Sequence, residues 1–216
     1  MKSEGEGTMA NHFYLVRHGE TSWNQLRKLQ GHTDIPLNEN GISQAKMVAK
    51  RLSTLPIDIV CSSDLIRAKR TAEEIAKYHQ GKSILEAKEF RERHYGQWEG
   101  LHWDEIQKRY PGYYDDQKNN GEHGIETIEN MQTRGVSKLL ELCQAYPNQH
   151  IAVVSHGGFI NSLLYHFTNG EHGTGITRLV NTSYNHLSYQ NGKWTVHTIN
   201  DSSHLDSKNP PRGIQL

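Results

Sequence analysis

At 216 residues the chain can bury a substantial core, and its length favours one domain. Lys plus Arg equals Asp plus Glu at 24 each, so net charge recommends neither a nucleic acid nor an anionic membrane as partner, and any anion site must be local. The first ten residues, MKSEGEGTMA, hold no apolar secretion core, and no run reaches the ~20 apolar residues of a membrane span.

Residues 1–10 therefore read as a loose leader, 11–200 as a single domain and 201–216 as a loose polar tail. Within the domain, short apolar runs alternate with segments of helical period, the pattern of an α/β chain with a mostly parallel sheet. Residues 13–16 predict the first buried strand. Residues 38–55 predict an amphipathic helix with Asn38 as N-cap, closed by Pro56. A second strand follows at 57–61, then a helix that Ser62 or Ser63 can cap and Gly81 can stop. Residues 96–122 are rich in Trp, Tyr, Gly and charge with weak periodicity, and read as a lid or substrate insertion holding a short helix. A long helix is expected over 126–146 with Ile128 and Cys143 inward, a third strand over 151–154 and a helix over 157–167. Residues 183–189 and 194–199 predict a hairpin turning at Asn191-Gly192. Cys61 and Cys143 both fall in apolar stretches, as buried thiols of a reducing compartment would, and a cytoplasmic protein is the expectation.

One phrase occurs twice. Phe13-Tyr14-Leu15-Val16-Arg17-His18-Gly19 and Ile151-Ala152-Val153-Val154-Ser155-His156-Gly157 are each a buried strand ending in His-Gly. Parallel strands deliver their last residues to one sheet edge, so neighbouring strands would face His18 and His156 into one pocket. Arg17, and Arg67 in the first turn of the helix after the second strand, add guanidiniums beside helix N–H groups. Two Arg and two His around one hollow repel each other unless an anion is present, which points to a phosphoryl group. A neutral His18 imidazole can accept it, provided its other ring nitrogen donates to a backbone carbonyl. His156, Arg17 and Arg67 would hold the equatorial oxygens, and water would take the phosphoryl group in the end. Glu92, set among turn residues before Gly96, is the expected proton donor to the leaving alkoxide, with Glu20 competing. Trp98 and Trp103, with Tyr110, Tyr113 and Tyr114, either line a substrate pocket or pack the lid. The fourteen histidines include no His-Glu-x-x-His pair, the cysteines no Cys-x-x-Cys, and this scatter argues against a metal. His94, His102, His123, His172 and His204 read as surface residues.

These residues resemble the histidine phosphatase superfamily, also called the phosphoglycerate mutase-like family. The likeness rests on Leu15-Val16-Arg17-His18-Gly19-Glu20-Thr21, Trp23-Asn24, Gln30-Gly31, Asp34, Leu37, Ser62-Ser63-Asp64-Leu65, Arg67-Ala68, Glu92, Tyr95-Gly96, Trp98-Glu99-Gly100 and Ser155-His156-Gly157-Gly158. The resemblance implies a three-layer α/β/α sandwich, His18 as phosphohistidine nucleophile, Glu92 as proton donor, and Arg17, Arg67, His156 and Asn24 as phosphate contacts. Tyr95, Trp98 and Trp103 are the expected substrate-pocket residues. A small phosphorylated metabolite is the implied partner, with no cofactor or metal, no nucleic acid and no membrane, and oligomeric state is left open. Within the family, Trp103 stands where mutases carry a Lys, and Asp115-Asp116 where they carry an Arg pair, so the phosphatase branch is expected over a cofactor-dependent mutase. A non-catalytic phosphate-binding module is the reading from another class; it would have been suggested by loss of His18 or Glu92.

Overall fold

Six strands form one sheet in the order β3-β2-β4-β1-β5-β6. They are β1 (Asn11–Arg17), β2 (Ile59–Ser62), β3 (Leu85–Glu86), β4 (His150–Ser155), β5 (Tyr184–Gln190) and β6 (Lys193–Asp201). Strands β3, β2, β4 and β1 run parallel, and the β5–β6 hairpin closes the far side antiparallel, giving the expected α/β class. The computed structural model describes residues 10–79, 83–112 and 122–205. The expected leader up to residue 9, Gly81, Tyr113, Tyr114, Asp115-Asp116 and the tail from 206 onward lie outside the described residues.

The central strands are covered on both faces, which is why they read as continuous apolar runs rather than alternating ones. Phe13, Leu15, Ile151 and Val153 pack against α5 (Ile128–Ala145) and α6 (Gly157–Phe167). Tyr14, Val16, Ala152 and Val154 pack on the other face against α2 (Glu39–Leu52) and α3 (Ile66–Ala76). Asn38 caps α2 through its side chain, as expected, and the hairpin turns at Asn191 and Gly192, both at positive φ. Among the described residues no helix is long and apolar enough to cross a membrane.

Several expectations need correction. Helix α3 begins after Leu65, and neither Ser62 nor Ser63 is its N-cap: the Ile66 N–H donates instead to Asp34 Oδ1 at 2.7 Å, while Ser63 Oγ accepts only from Leu65 N–H. A cap supplied from 32 residues away in sequence leaves no local signature. Cys143 and Ile128 are half-buried rather than interior. Residues 202–205 are not loose, since His204 Nε2 sits 3.2 Å from Thr182 Oγ1, and His204, like His94, His102 and His123, is half-buried, so that of the five expected surface histidines His172 alone is exposed. The short helices α1 (Ser22–Gln25) and α4 (Trp103–Arg109) complete the α-helices among the described residues; α1 was not anticipated, and α4 is the short helix expected in the 96–122 insertion.

Candidate active site

The register of β1 and β4 pairs Arg17 with Ser155, so the residues that follow, His18 and His156, leave the sheet side by side. Their rings lie 5.1 Å apart between centroids, both buried. The turn after β1 is held by His18 N–H donating to Ser155 O and by Asn181 Nδ2 donating to His18 O. Gly19 is required there because a Cβ would meet the Gly41 backbone of α2; the close approach is to a helix and not to a ligand.

The two imidazoles carry complementary tautomers. His18 Nδ1 is 2.7 Å from Gly19 O, which can only accept, so Nδ1 holds the proton and Nε2 presents a lone pair. His156 Nδ1 accepts from Arg67 Nε at 3.2 Å, so its proton is on Nε2, a buried donor with no protein partner. Burial, then the Arg67 charge, holds both rings well below the usual imidazole range, so both are neutral at pH 7. The mutual repulsion expected of two Arg and two His is thus relieved by keeping the histidines uncharged. Arg17 and Arg67 are each lowered by burial to about 10 and stay cationic, with the nearby Glu92 charge opposing that drop.

Arg67 is fully buried and spends three donors on the protein: Nε on His156, Nη1 on Thr33 O and Nη2 on Gly31 O. Arg17 Nη1 donates to Leu179 O, and its buried Nε has no protein partner. Asn24 turns its Oδ1 toward Thr21 N–H and Oγ1, leaving the amide Nδ2 as the group it can offer an anion. Glu92 lies across the same cavity, its carboxylate accepting from Arg93, Gly158 and Phe159 N–H at 2.8–2.9 Å. A Cβ on Gly158 would stand 2.7 Å from Glu92 Oε1, so a side chain there would push the carboxylate away from the N–H groups at the start of α6. Glu20 is not brought in: Asn38 and Asn40 hold it at the start of α2.

Arg17, His18, Asn24, Arg67 and Glu92 line one cavity of about 340 Å³ together with Tyr95 and Trp103 among others, whereas His156 is fully buried behind that wall, its ring 5.1 Å from the His18 ring. Trp98 departs from expectation, being fully buried in a separate small core with Leu29, Tyr95, Ile106 and Ile125 rather than on the cavity wall. Sequence reasoning missed the loop from Thr174 to Leu179, whose Ile176 and Arg178 line the cavity, and also Arg27 and Lys28. It also missed Arg134, which donates to Glu89 O, Arg91 O and Glu92 O and pairs with Glu126 at 2.6 Å, fixing the backbone that carries Glu92. A Gly-Thr-Gly run between helix and strand was the one available signal for the loop; nothing local marks Arg134.

A lone-pair nitrogen, an N–H donor and two guanidiniums brought this close together are the groups that phosphoryl transfer calls for. The family model for the histidine phosphatase superfamily (branch 1) matches residues 13–202, and the chain belongs to that family. It is 40% identical over 191 residues to the uncharacterized phosphatase PhoE of Bacillus subtilis (strain 168), covering 88% of this chain and 95% of the relative. It is 38% identical over 199 residues to phosphoglycerate mutase-like protein 4 of Arabidopsis thaliana, covering 89% and 86%. Among solved structures it superposes on a phosphoserine phosphatase variant of Entamoeba histolytica in complex with phosphoserine, with TM-score 0.76 and 29% identity over 90% of this chain and 99% of that one. Family and relatives together make the chain a phosphatase.

Proposed function

We propose that this phosphatase hydrolyses small phosphomonoesters without a metal ion, through a phosphohistidine on His18. The observation that carries the reading is the tautomer pair: a lone pair on His18 Nε2 beside an unpartnered Nε2–H on His156. His18 Nε2 attacks phosphorus and the ester P–O bond breaks. Glu92 passes to the leaving oxygen the proton that the monoanionic ester brings in, while His156 and the Arg17 and Arg67 guanidiniums hold the charge spreading over the equatorial oxygens. Water then attacks the phosphohistidine, Glu92 takes the water's proton, the P–N bond breaks and phosphate leaves.

Arg27, Lys28 and Arg178 give the rest of the cavity a positive lining beside Ile128, Met131 and Ile176. That combination suits a small metabolite with a second anionic group, such as a carboxylate. Trp103 on the wall, where mutases carry a Lys, favours water as final acceptor over a retained bisphosphorylated acid.

Rapid mixing with a radiolabelled phosphomonoester and quenching in alkali tests the covalent step. A labelled, acid-labile protein band is expected for the wild type, absent in His18→Ala, with turnover unchanged by chelator. A folded protein silent across a broad phosphomonoester panel would make it a binding module, and efficient conversion of 3-phosphoglycerate to 2-phosphoglycerate in the presence of bisphosphoglycerate would make it a mutase.

A further inference from the structure

The scattered histidines, unpromising as ligands by their spacing, are gathered by the sheet. His12 of β1, His186 of β5 and His197 of β6 offer one ring nitrogen each, all within 4.8 Å of one another. His12 Nδ1 and His186 Nε2 already meet at 3.0 Å. His150 of β4 pairs with His12 in register and stacks on it at 4.5 Å. The cluster shares the sheet face of Tyr14 and Val16 and lies at the end of β1 opposite His18, six residues or about 20 Å away along the strand.

We propose that His12, His186 and His197 form a binding site for a divalent transition-metal ion of the zinc class, which ties β1, β5 and β6 together at the end of the sheet remote from the phosphate cavity. Zinc–nitrogen bonds of about 2.0–2.1 Å in a tetrahedron place ligand nitrogens about 3.4 Å apart, a spacing that falls between the 3.0 Å of His12–His186 and the 4.8 Å that bounds the whole set. His197 is exposed, so its ring can turn inward and solvent reaches the site. The proton bridging His12 and His186 moves to the opposite nitrogen of its own ring, and both lone pairs then face the ion. Three imidazoles leave the fourth position to water.

The surroundings fit imidazole ligands. His12 and His186 are half-buried with ring centroids 5.2 Å apart, and His197 stacks on His186 at 4.6 Å, so the three rings are already gathered without an acidic or basic side chain in the set. Ser188 Oγ, 2.7 Å from His197 Nε2, orients that ligand's ring as supporting partners do in metal sites, and the Tyr14 hydroxyl, 3.1 Å from His150 Nδ1, holds the ring that stacks on His12. An all-imidazole set selects zinc, copper or nickel over magnesium or calcium.

The test uses the untagged full chain, stripped with chelator and titrated with Zn²⁺ at pH 7.5 against a chromogenic competitor, with Co²⁺ substitution to read tetrahedral absorption. One equivalent is expected in the wild type and equally in His18→Ala. Affinity should fall at least tenfold in His186→Gln and in the fold-neutral surface variant His197→Gln. Zinc at about a hundred times Kd should raise the wild-type Tm by about 5–10 °C, with no rise from Mg²⁺. Phosphatase turnover of His197→Gln should equal that of the wild type, which separates this site from the reading of His18. Folded wild type that takes up no Zn²⁺ overturns the proposal, as does uptake undiminished in both variants.

Discussion

The two ends of β1 pose the same problem and solve it differently. At one end His18 and His156 are neutral because they are buried beside guanidiniums; at the other, His12 and His186 are held low by burial and by other histidines. Arginine decides what a cluster of neutral imidazoles prefers. Fixed cations repel a metal ion and attract an oxyanion, whereas imidazoles without them offer lone pairs to a cation. One residue type in one protonation state thus serves opposite charges, selected by whether strand ends deliver Arg17 and Arg67 beside it.

The sharpest way to break that contrast is to remove the proposed nucleophile. His18→Ala should fold and lose about 10⁴-fold or more in turnover, since the remaining donors stabilise charge but form no covalent bond. Phosphate release under single-turnover conditions checks it; a loss below tenfold would mean that the His18 end only binds. Next in size, Glu92→Gln should slow alkyl phosphates by about 10²-fold, yet slow p-nitrophenyl phosphate far less, because that leaving group departs without a proton. Equal losses on both substrates would reduce Glu92 to a prop for the start of α6.

The His18 end was largely legible in the sequence because its signal is carried by strand ends. Two apolar runs finishing in His-Gly imply convergence once parallel pairing is granted, and the observed register of Arg17 with Ser155 delivers it. Arg67 was legible for the same reason, sitting in the first turn after β2. The cap that Asp34 supplies was not, although the resemblance includes that residue, nor were Arg134 and the Thr174–Leu179 loop, since each acts through contacts between elements remote in sequence. Trp98 was misjudged because an aromatic in a Gly-rich segment has the same local pattern whether it lines a pocket or fills a small core. The opposite histidine end was invisible, as ligands on three strands have no spacing rule.

Acid should weaken the fold through the same burial that prepares the site. The folded chain keeps His18 and His156 well below 6.5, whereas the unfolded chain takes up protons near that value. Stability from these groups is therefore fully present above about pH 6.5 and is lost as pH falls from there toward the folded-state values. Each such histidine adds a slope of up to about 1.4 kcal/mol per pH unit. Urea midpoints between pH 7.5 and 5 should fall, and His18→Ala should show the shallower decline. Parallel curves would mean that the ring at position 18 is charged in the folded protein.

The smallest expected effect concerns how the cationic side of the contrast is held. Asp34 is exposed, yet its Oδ1 accepts the Ile66 N–H that opens α3, and the carbonyls of Gly31 and Thr33 in the same loop hold Arg67. The carboxylate therefore does two things: it caps a helix and it pins the loop that aims a buried guanidinium. Asp34→Ala should cost about 1 kcal/mol, lowering Tm by about 2–4 °C, with a modest rise in KM as Arg67 loosens. Asp34→Asn keeps an acceptor at the same reach and should recover most of the stability, because the cap needs an oxygen more than a charge. If Asn recovers the Tm but not the KM, the loop is steered by the negative charge beside Arg67, and the oxyanion end depends on a residue outside its own cavity wall.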